Sequence, residues 1–317
     1  GLCLLGLLMV ASSSIVHADH HHNQSFYFLI SQSIFLLIGL AAAVWVVRYP
    51  SEQWRNAGMW CLLLALGLSL VVFLPGIGKT VNGARRWLEL GLFRLQVSEM
   101  VKLLLTIYLA GYCQRHLASV QHSFMGFIKP LAVWCVFAVL LLCQPDFGAA
   151  VVILSTFLGV LYLSGVRLQY FLLLAAGLAV LLFTLVYVSD YRYARLMIFL
   201  DPWSAQYAGG YQLTQSLIAF GRGGITGSGL GEGVQKLFYL PEAHTDFIVA
   251  VLAEEFGLIG LLGLMSLLSL FVYRGLLIGK RALAFDQQFQ AFLAYGITLS
   301  FAVQALINIG VTTGLLP

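Results

Sequence analysis

Charge is what this chain has least of. Asp, Glu, Lys and Arg make up only 9% of its 317 residues, 60% are hydrophobic, and the mean hydropathy is +0.92. Soluble domains carry about 25% charged residues, so a soluble globular fold is excluded and the chain belongs in a membrane. Cysteine is also scarce. Cys3, Cys61, Cys113, Cys135 and Cys143 lie far apart, in or beside apolar runs, so neither a disulfide framework nor metal-ligand spacing is present. They read as small packing residues. None of the six aspartates forms an Asp-x-Asp pair, which argues against an enzyme that grips a nucleotide-sugar metal in that way. There is no Walker lysine motif, and the glycine-rich run 221–231 follows no strand, so a dinucleotide fingerprint is excluded. Neither an internal repeat nor a low-complexity tract occurs.

Long apolar runs are what the chain has instead, at 1–16, 26–47, 57–74, 97–113, 129–143, 147–164, 170–188, 246–271 and 287–307. A bilayer core takes about 20 helical residues, so these runs predict an all-α polytopic membrane protein with nine spans. Continuous rather than alternating runs exclude a β-barrel. The expectation is one polytopic domain over 1–317, with the long loop 189–245 between the seventh and eighth spans as part of it. The chain begins at Gly1 inside an apolar run and stops at Pro317 with no polar tail, so both ends read as truncated.

Alternate loops must face opposite sides. One side receives 48–56, 114–128, 165–169 and 272–286, and carries Arg48, Arg55, Arg115, Lys129, Arg167, Arg274, Lys280 and Arg281. The other receives 17–25, 75–96, the turn at Pro145 and 189–245, with Lys79, Arg85, Arg86, Arg94, Arg192, Arg195, Arg222 and Lys236. Eight against eight leaves the raw positive-inside count undecided. The first side has the shorter loops, hence the higher basic density, and its acids are only Glu52 and Asp286, so it is assigned to the cytoplasm. Charges of both signs gathered on the opposite face suggest a polar site for a charged ligand.

The candidate residues all lie there. Arg85 and Arg86, beside Trp87, suit a phosphate through the guanidinium fork, and equally suit lipid headgroups. Ser98 is expected to cap the helix that follows, placing Glu99 in its first turn and in line with Lys102 at i, i+3. That pair reads either as a cavity-facing group or as a structural ion pair. Asp146, after Pro145, is a common turn residue, and only its location argues for function. The segment 211–219 reads as a short amphipathic helix, and the glycines beyond it could bring backbone amides to an anion. Asp246 opens the eighth span with Thr245 as the expected cap; a helix-capping carboxylate and a general base both fit that place, and capping is the commoner. Glu254 and Glu255 fall about 12 Å further along the same helix and should face the protein interior. The histidines 17, 20, 21 and 22 read as a solvated loop rather than a metal site.

Several of these segments resemble the SEDS family (shape, elongation, division, sporulation). They are Ala11-Ser12-Ser13-Ser14, Asn82-Gly83-Ala84-Arg85-Arg86-Trp87, Gln96 through Lys102, Gln144-Pro145-Asp146-Phe147-Gly148, Gly210-Tyr211-Gln212 and, most specifically, Gln235 through Phe247. The resemblance runs from the first span to the last, and Ala243 favours the division branch over the elongation branch, with the sporulation branch close. Val97 replaces the family's usual Pro, Glu232-Gly233 replaces a typical Asn-Ser, and the family's tenth span is not in the sequence. What the resemblance implies is a peptidoglycan glycosyltransferase polymerising lipid II at the outer face of the cytoplasmic membrane, at the division septum. Asp246 would be the general base. Arg85 and Arg86, with Lys236 or Arg195, would hold the undecaprenyl pyrophosphate of the growing strand. Glu99, Lys102, Asp146, Gln212 and His244 would line the substrate site. No resident cofactor is implied, although a divalent cation, Mg or Mn, could bridge pyrophosphate to Asp146 or Asp246. The implied partners are lipid II, the lipid-linked glycan, a class B penicillin-binding protein transpeptidase and other divisome proteins, with no nucleic acid. A lipid II flippase and a non-catalytic division scaffold are the alternatives.

Overall fold

A computed structural model describes residues 1–81, 83–90, 93–187, 197–207 and 209–316. The fold is helical and polytopic, as expected. Among the described residues five helices are long and apolar enough to cross a membrane: α1 (Leu2–His22), α2 (Tyr27–Val47), α7 (Phe124–Cys143), α11 (Ile248–Ala284) and α12 (Gln288–Thr312). Shorter apolar helices are α4 (Gly58–Val71) and α8 (Phe147–Leu163), and α9 (Leu168–Tyr187) is a further apolar helix of 20 residues. Between them lie α3 (Ser51–Asn56), α5 (Val97–Arg115), α6 (Leu117–His122) and α10 (Tyr211–Gly223).

The chain divides into two compact units, each with its own apolar core. The first comprises residues 1–48, 178–270 and 305–317. Its core gathers Met9 of α1, Ala219 of α10, and Leu240, Ala243, Phe247 and Ala250–Leu252 around the start of α11. Helix α2 contributes no buried residue although it is predominantly apolar, the pattern of a helix solvated by lipid.

The second unit comprises 49–177 and 271–304. Its centre is α5, which buries residues all round its circumference, from Val97 to Cys113. Around α5 pack α4, α7 and α8, with Phe289, Phe292 and Tyr295 of α12 completing the core. In α7 the structure corrects the expected span, which was to begin at residue 129. The helix starts at Phe124, and Lys129 and Pro130 lie inside it. Pro130 cannot donate to the carbonyl four residues back, and that Gly126 oxygen instead accepts from the Tyr112 hydroxyl at 3.1 Å.

The segment 75–96, expected as a loop, is an antiparallel sheet of β1 (Gly78–Val81), β2 (Ala84–Leu90) and β3 (Phe93–Gln96), in the order β1-β2-β3. Charge on Lys79, Glu89 and Arg94 masked its alternation, yet those charges staple it. Glu89 accepts from Lys79 at 2.8 Å and faces Arg94 across the β2–β3 ladder, at 3.6 Å. The Lys79 hydrogen bond holds the Glu89 carboxyl below its ordinary range.

Candidate active site

In the first unit the functional segment is built on a broken helix. Gly257 adopts φ 61°, which interrupts α11 nine residues after its start. A break strands carbonyls before it and amides after it, and inside a membrane these need protein partners. The glycine-rich loop supplies them. Ser228 and Gly229 amides donate to the carbonyls of Glu254 and Glu255 at 2.9 and 3.1 Å, while Leu258 and Ile259 amides donate to the carbonyls of Gly224 and Ile225 at 3.0 and 3.2 Å. A Cβ on Gly223 or Gly227 would lie about 2 Å from a backbone oxygen of α11 (1.9 and 2.1 Å), so only glycine lets the two segments approach this closely.

Glu254 and Glu255 therefore stand at the end of a half-helix rather than in the middle of a continuous one. Both are buried. The Glu254 carboxylate accepts from the Val234 and Gln235 amides at 3.0 and 3.1 Å, with the Arg222 guanidinium 3.7 Å away. The Ser228 and Gly229 amides of the glycine-rich loop are thus spent on backbone carbonyls of the broken helix, and the amides that meet the Glu254 carboxylate come from beyond that loop. Glu255 accepts from Lys236 and from the Ser12 hydroxyl, the latter at 2.7 Å. Sequence reasoning left both glutamates without a role. Adjacent acids deep in an apolar run were the signal that buried bases had to meet them.

A π-turn (Gln235–Tyr239) that contains Lys236 leads through Leu240 to Asp246. Phe238 and Glu242 take left-handed backbone conformations. Ser13, His17, Lys236, Glu242, Ala243 and His244 are among the residues bordering a cavity of about 240 Å³. The His17 and His244 rings stack at 4.4 Å, and His20 meets Phe238 edge-on at 5.6 Å. His17 and His20 belong to α1, which replaces the expected solvated loop up to His22.

Helix α11 begins at Ile248, two residues later than expected. Thr245 does not cap it: its hydroxyl donates to the Glu242 carboxylate at 2.7 Å. The amides of Ala250 and Val251 instead donate to the Phe247 carbonyl, at 3.0 and 3.3 Å. Asp246 consequently lies outside the first helical turn and is exposed. Gln212 is exposed near the start of α10, beside Tyr211, whose hydroxyl donates to the Tyr239 carbonyl at 2.8 Å.

The remaining candidates belong to the second unit. Arg85 and Arg86 sit on β2 where the β1 register shifts by one residue, so Arg86 has no partner opposite. Such a bulge re-aims side chains that would otherwise alternate between faces. Arg85 donates to the Phe73 carbonyl at 3.2 Å, whereas Arg86, half-buried, makes no hydrogen bond or ion pair among the described residues. Lys102 pairs with Glu99 at 2.8 Å, as the i, i+3 spacing required, and also donates to Gln304, which sequence reasoning missed. Helix α5 starts at Val97, so Ser98 is not its cap; its hydroxyl accepts from Gln96 at 3.1 Å. Asp146 is more than a turn residue. It caps α8 by accepting from the Ala149 amide at 3.2 Å, and its second oxygen, Oδ2, is buried without a partner. Arg192 and Arg195 lie outside the described residues. Among the described residues no three His, Cys, Asp or Glu side chains gather around one point.

The family model for FtsW, RodA and SpoVE, described as cell cycle protein, matches residues 1–317. The chain belongs to this family. The protein named Probable peptidoglycan glycosyltransferase FtsW of Legionella pneumophila is 52% identical over 317 residues, covering 100% of this chain and 80% of its own. Its namesake in Coxiella burnetii is 51% identical over 316 residues, covering 100% and 85%. Among solved structures, a chain of a peptidoglycan synthase complex, described for its coordination of polymerization and crosslinking, matches with TM-score 0.78 and 25% identity over 99% of this chain and 87% of that one. The rod shape determining protein RodA of Thermus thermophilus, with TM-score 0.63 and 23% identity over 98% and 83%, shares the fold. The multi-pass membrane architecture is common to this family.

Proposed function

We propose that this protein is a peptidoglycan glycosyltransferase that polymerises lipid II during cell division. The observation that carries the reading is the match over its full length to relatives named for that activity, at about half identity. In the proposed reaction the 4-hydroxyl of the acceptor's N-acetylglucosamine attacks the anomeric carbon of the lipid-linked strand. The carbon–oxygen bond to undecaprenyl pyrophosphate breaks with inversion, its electrons leave with the pyrophosphate, and the hydroxyl proton passes to the Asp246 carboxylate. An exposed aspartate outside the helical turn suits that role. Arg86, with its fork uncommitted among the described residues, and Arg85, with donors to spare, bind the pyrophosphate. The Glu99–Lys102 pair, joined to Gln304, keeps α5 and α12 in register, and Asp146, Gln212 and His244 contact substrate. A divalent cation would arrive with the pyrophosphate and neutralise its charge.

The partner of this reading is a class B penicillin-binding protein, whose transpeptidase crosslinks the new strands, alongside other divisome proteins, in the cytoplasmic membrane at the septum. The similar solved chain belongs to a complex that joins polymerization with crosslinking. The test is lipid II polymer formation by the purified complex, with wild type, Asp246→Ala and Arg86→Ala side by side. Asp246→Ala should abolish polymer, and Arg86→Ala should cost about tenfold or more in kcat/KM. Near-normal polymer from Asp246→Ala would overturn the base assignment. Lipid movement across vesicles without polymer from the wild type would point to a carrier instead.

A further inference from the structure

We propose that Glu255 and Lys236 are positioning residues: with Ser12 they clamp the turn that leads to Asp246, and Lys236 does not bind pyrophosphate. The proposal rests on Asp246 being the base. The Lys236 side chain is only 5% exposed. Its ammonium donates to Ser12 Oγ at 2.9 Å and to Glu255 Oε1, while the Ser12 hydroxyl donates to the same carboxylate at 2.7 Å. These bonds close a triangle in which two of the ammonium's donors are committed and its charge is already neutralised. Glu254, the neighbouring residue, holds the Val234 and Gln235 amides. Two successive carboxylates at one half-helix end thus grip three successive residues, Val234, Gln235 and Lys236.

Everything past this grip is less regular. Leu237, Phe238 and Tyr239 are exposed, and the chain regains the core only at Leu240, Ala243 and Phe247. Asp246 stands just before the last of these. The grip fixes one end of the 237–246 segment and Phe247 fixes the other. Lys236, Ala243 and His244 border the same cavity, so a shift at the clamp moves the wall next to the proposed base. A buried ion pair adds little net stability over a well-packed apolar pair, but its bonds select one geometry. Helix α1 takes part through Ser12 and is thereby tied to the reaction segment. That gives the Ala11–Ser14 motif a task.

The experiment compares wild type, the double variant Lys236→Met/Glu255→Gln, Ser12→Ala and Asp246→Ala in lipid II polymerisation by the purified complex. Melting temperature is measured alongside. The double variant removes both charges and should melt close to wild type. It should keep the KM for lipid II within about threefold while kcat falls at least about tenfold, the signature of a misplaced catalytic group. Ser12→Ala removes one leg of the triangle and no charge, so it tests the clamp even if the double variant fails to fold; a fall of about three- to tenfold in kcat at unchanged KM is expected. Wild-type kcat in either variant would overturn the proposal. A raised KM with unchanged kcat in the double variant would return Lys236 to the substrate. Asp246→Ala reads the base assignment separately: full activity there defeats that assignment, whatever the clamp variants do.

Discussion

Asp146 separates local structure from chemistry at the scale of one residue. A turn aspartate needs only one oxygen for its work, and Oδ1 does that work by capping α8. Oδ2 is buried with no partner, although burying an unsatisfied carboxylate oxygen costs about 1–3 kcal/mol or more. A ligand that donates to Oδ2 would offset that cost. Asp146→Asn keeps the cap, since Asn and Asp cap about equally well, and turns the free acceptor into a donor. The melting temperature should therefore hold while lipid II polymerisation falls about tenfold or more. A variant that polymerises normally would reduce Asp146 to a cap. The same comparison of bonds made and bonds left open distinguishes Arg86 from Arg85 and underlies the positioning role proposed for Lys236.

The break in α11 decides most of the site's geometry at the scale of elements. The apolar run continues unbroken across Gly257 because hydropathy carries no dihedral information, so the pattern from 246 to 271 could only read as one helix. Of the glycines 257, 260 and 263 in this run, only Gly257 takes a positive φ. Gly227 is its counterpart in the loop. Its φ is +81° and an added Cβ would sit 2.1 Å from the Glu255 carbonyl oxygen, so Gly227→Ala meets strain and collision together. We expect a loss of about 2–4 kcal/mol, seen as a lowered melting temperature in detergent. Gly221→Ala is the control: nothing lies within 4 Å of its Cβ, and α10 should gain about 0.5–1 kcal/mol. Equal effects from the two variants would rule out the plugged break as a source of stability. The sheet 78–96 was illegible for a related reason. Its strands are four, seven and four residues long, and the alternation in them is carried by charged side chains that read as loop.

Charge distribution governs the scale of the whole molecule. Spans, loops and their alternation were legible in composition alone, because a bilayer imposes length and apolarity on each crossing. Equal numbers of basic residues on the two faces were not interpretable without coordinates. Of the eight assigned to the outer face, Lys79, Arg94, Arg222 and Lys236 are engaged by Glu89, Glu254 and Glu255. On the opposite face Arg48, Arg55, Arg115, Lys129, Arg167, Arg274, Lys280 and Arg281 form no ion pair among the described residues. Half of the outer bases are thus explained by folding, and among the described residues the arginines of β2 are the ones left for a charged ligand. The assignment of that other face to the cytoplasm rests on its higher density of basic residues. Single cysteines at exposed positions test that orientation in a background with the five native cysteines replaced by alanine. Ser204→Cys, in the 189–245 loop, should react with a membrane-impermeant maleimide once that reagent has reached the outer face of the cytoplasmic membrane. Lys280→Cys should react only after that membrane is permeabilised. The reverse pattern would invert the topology and place Asp246 in the cytoplasm, away from any outward-facing lipid-linked strand.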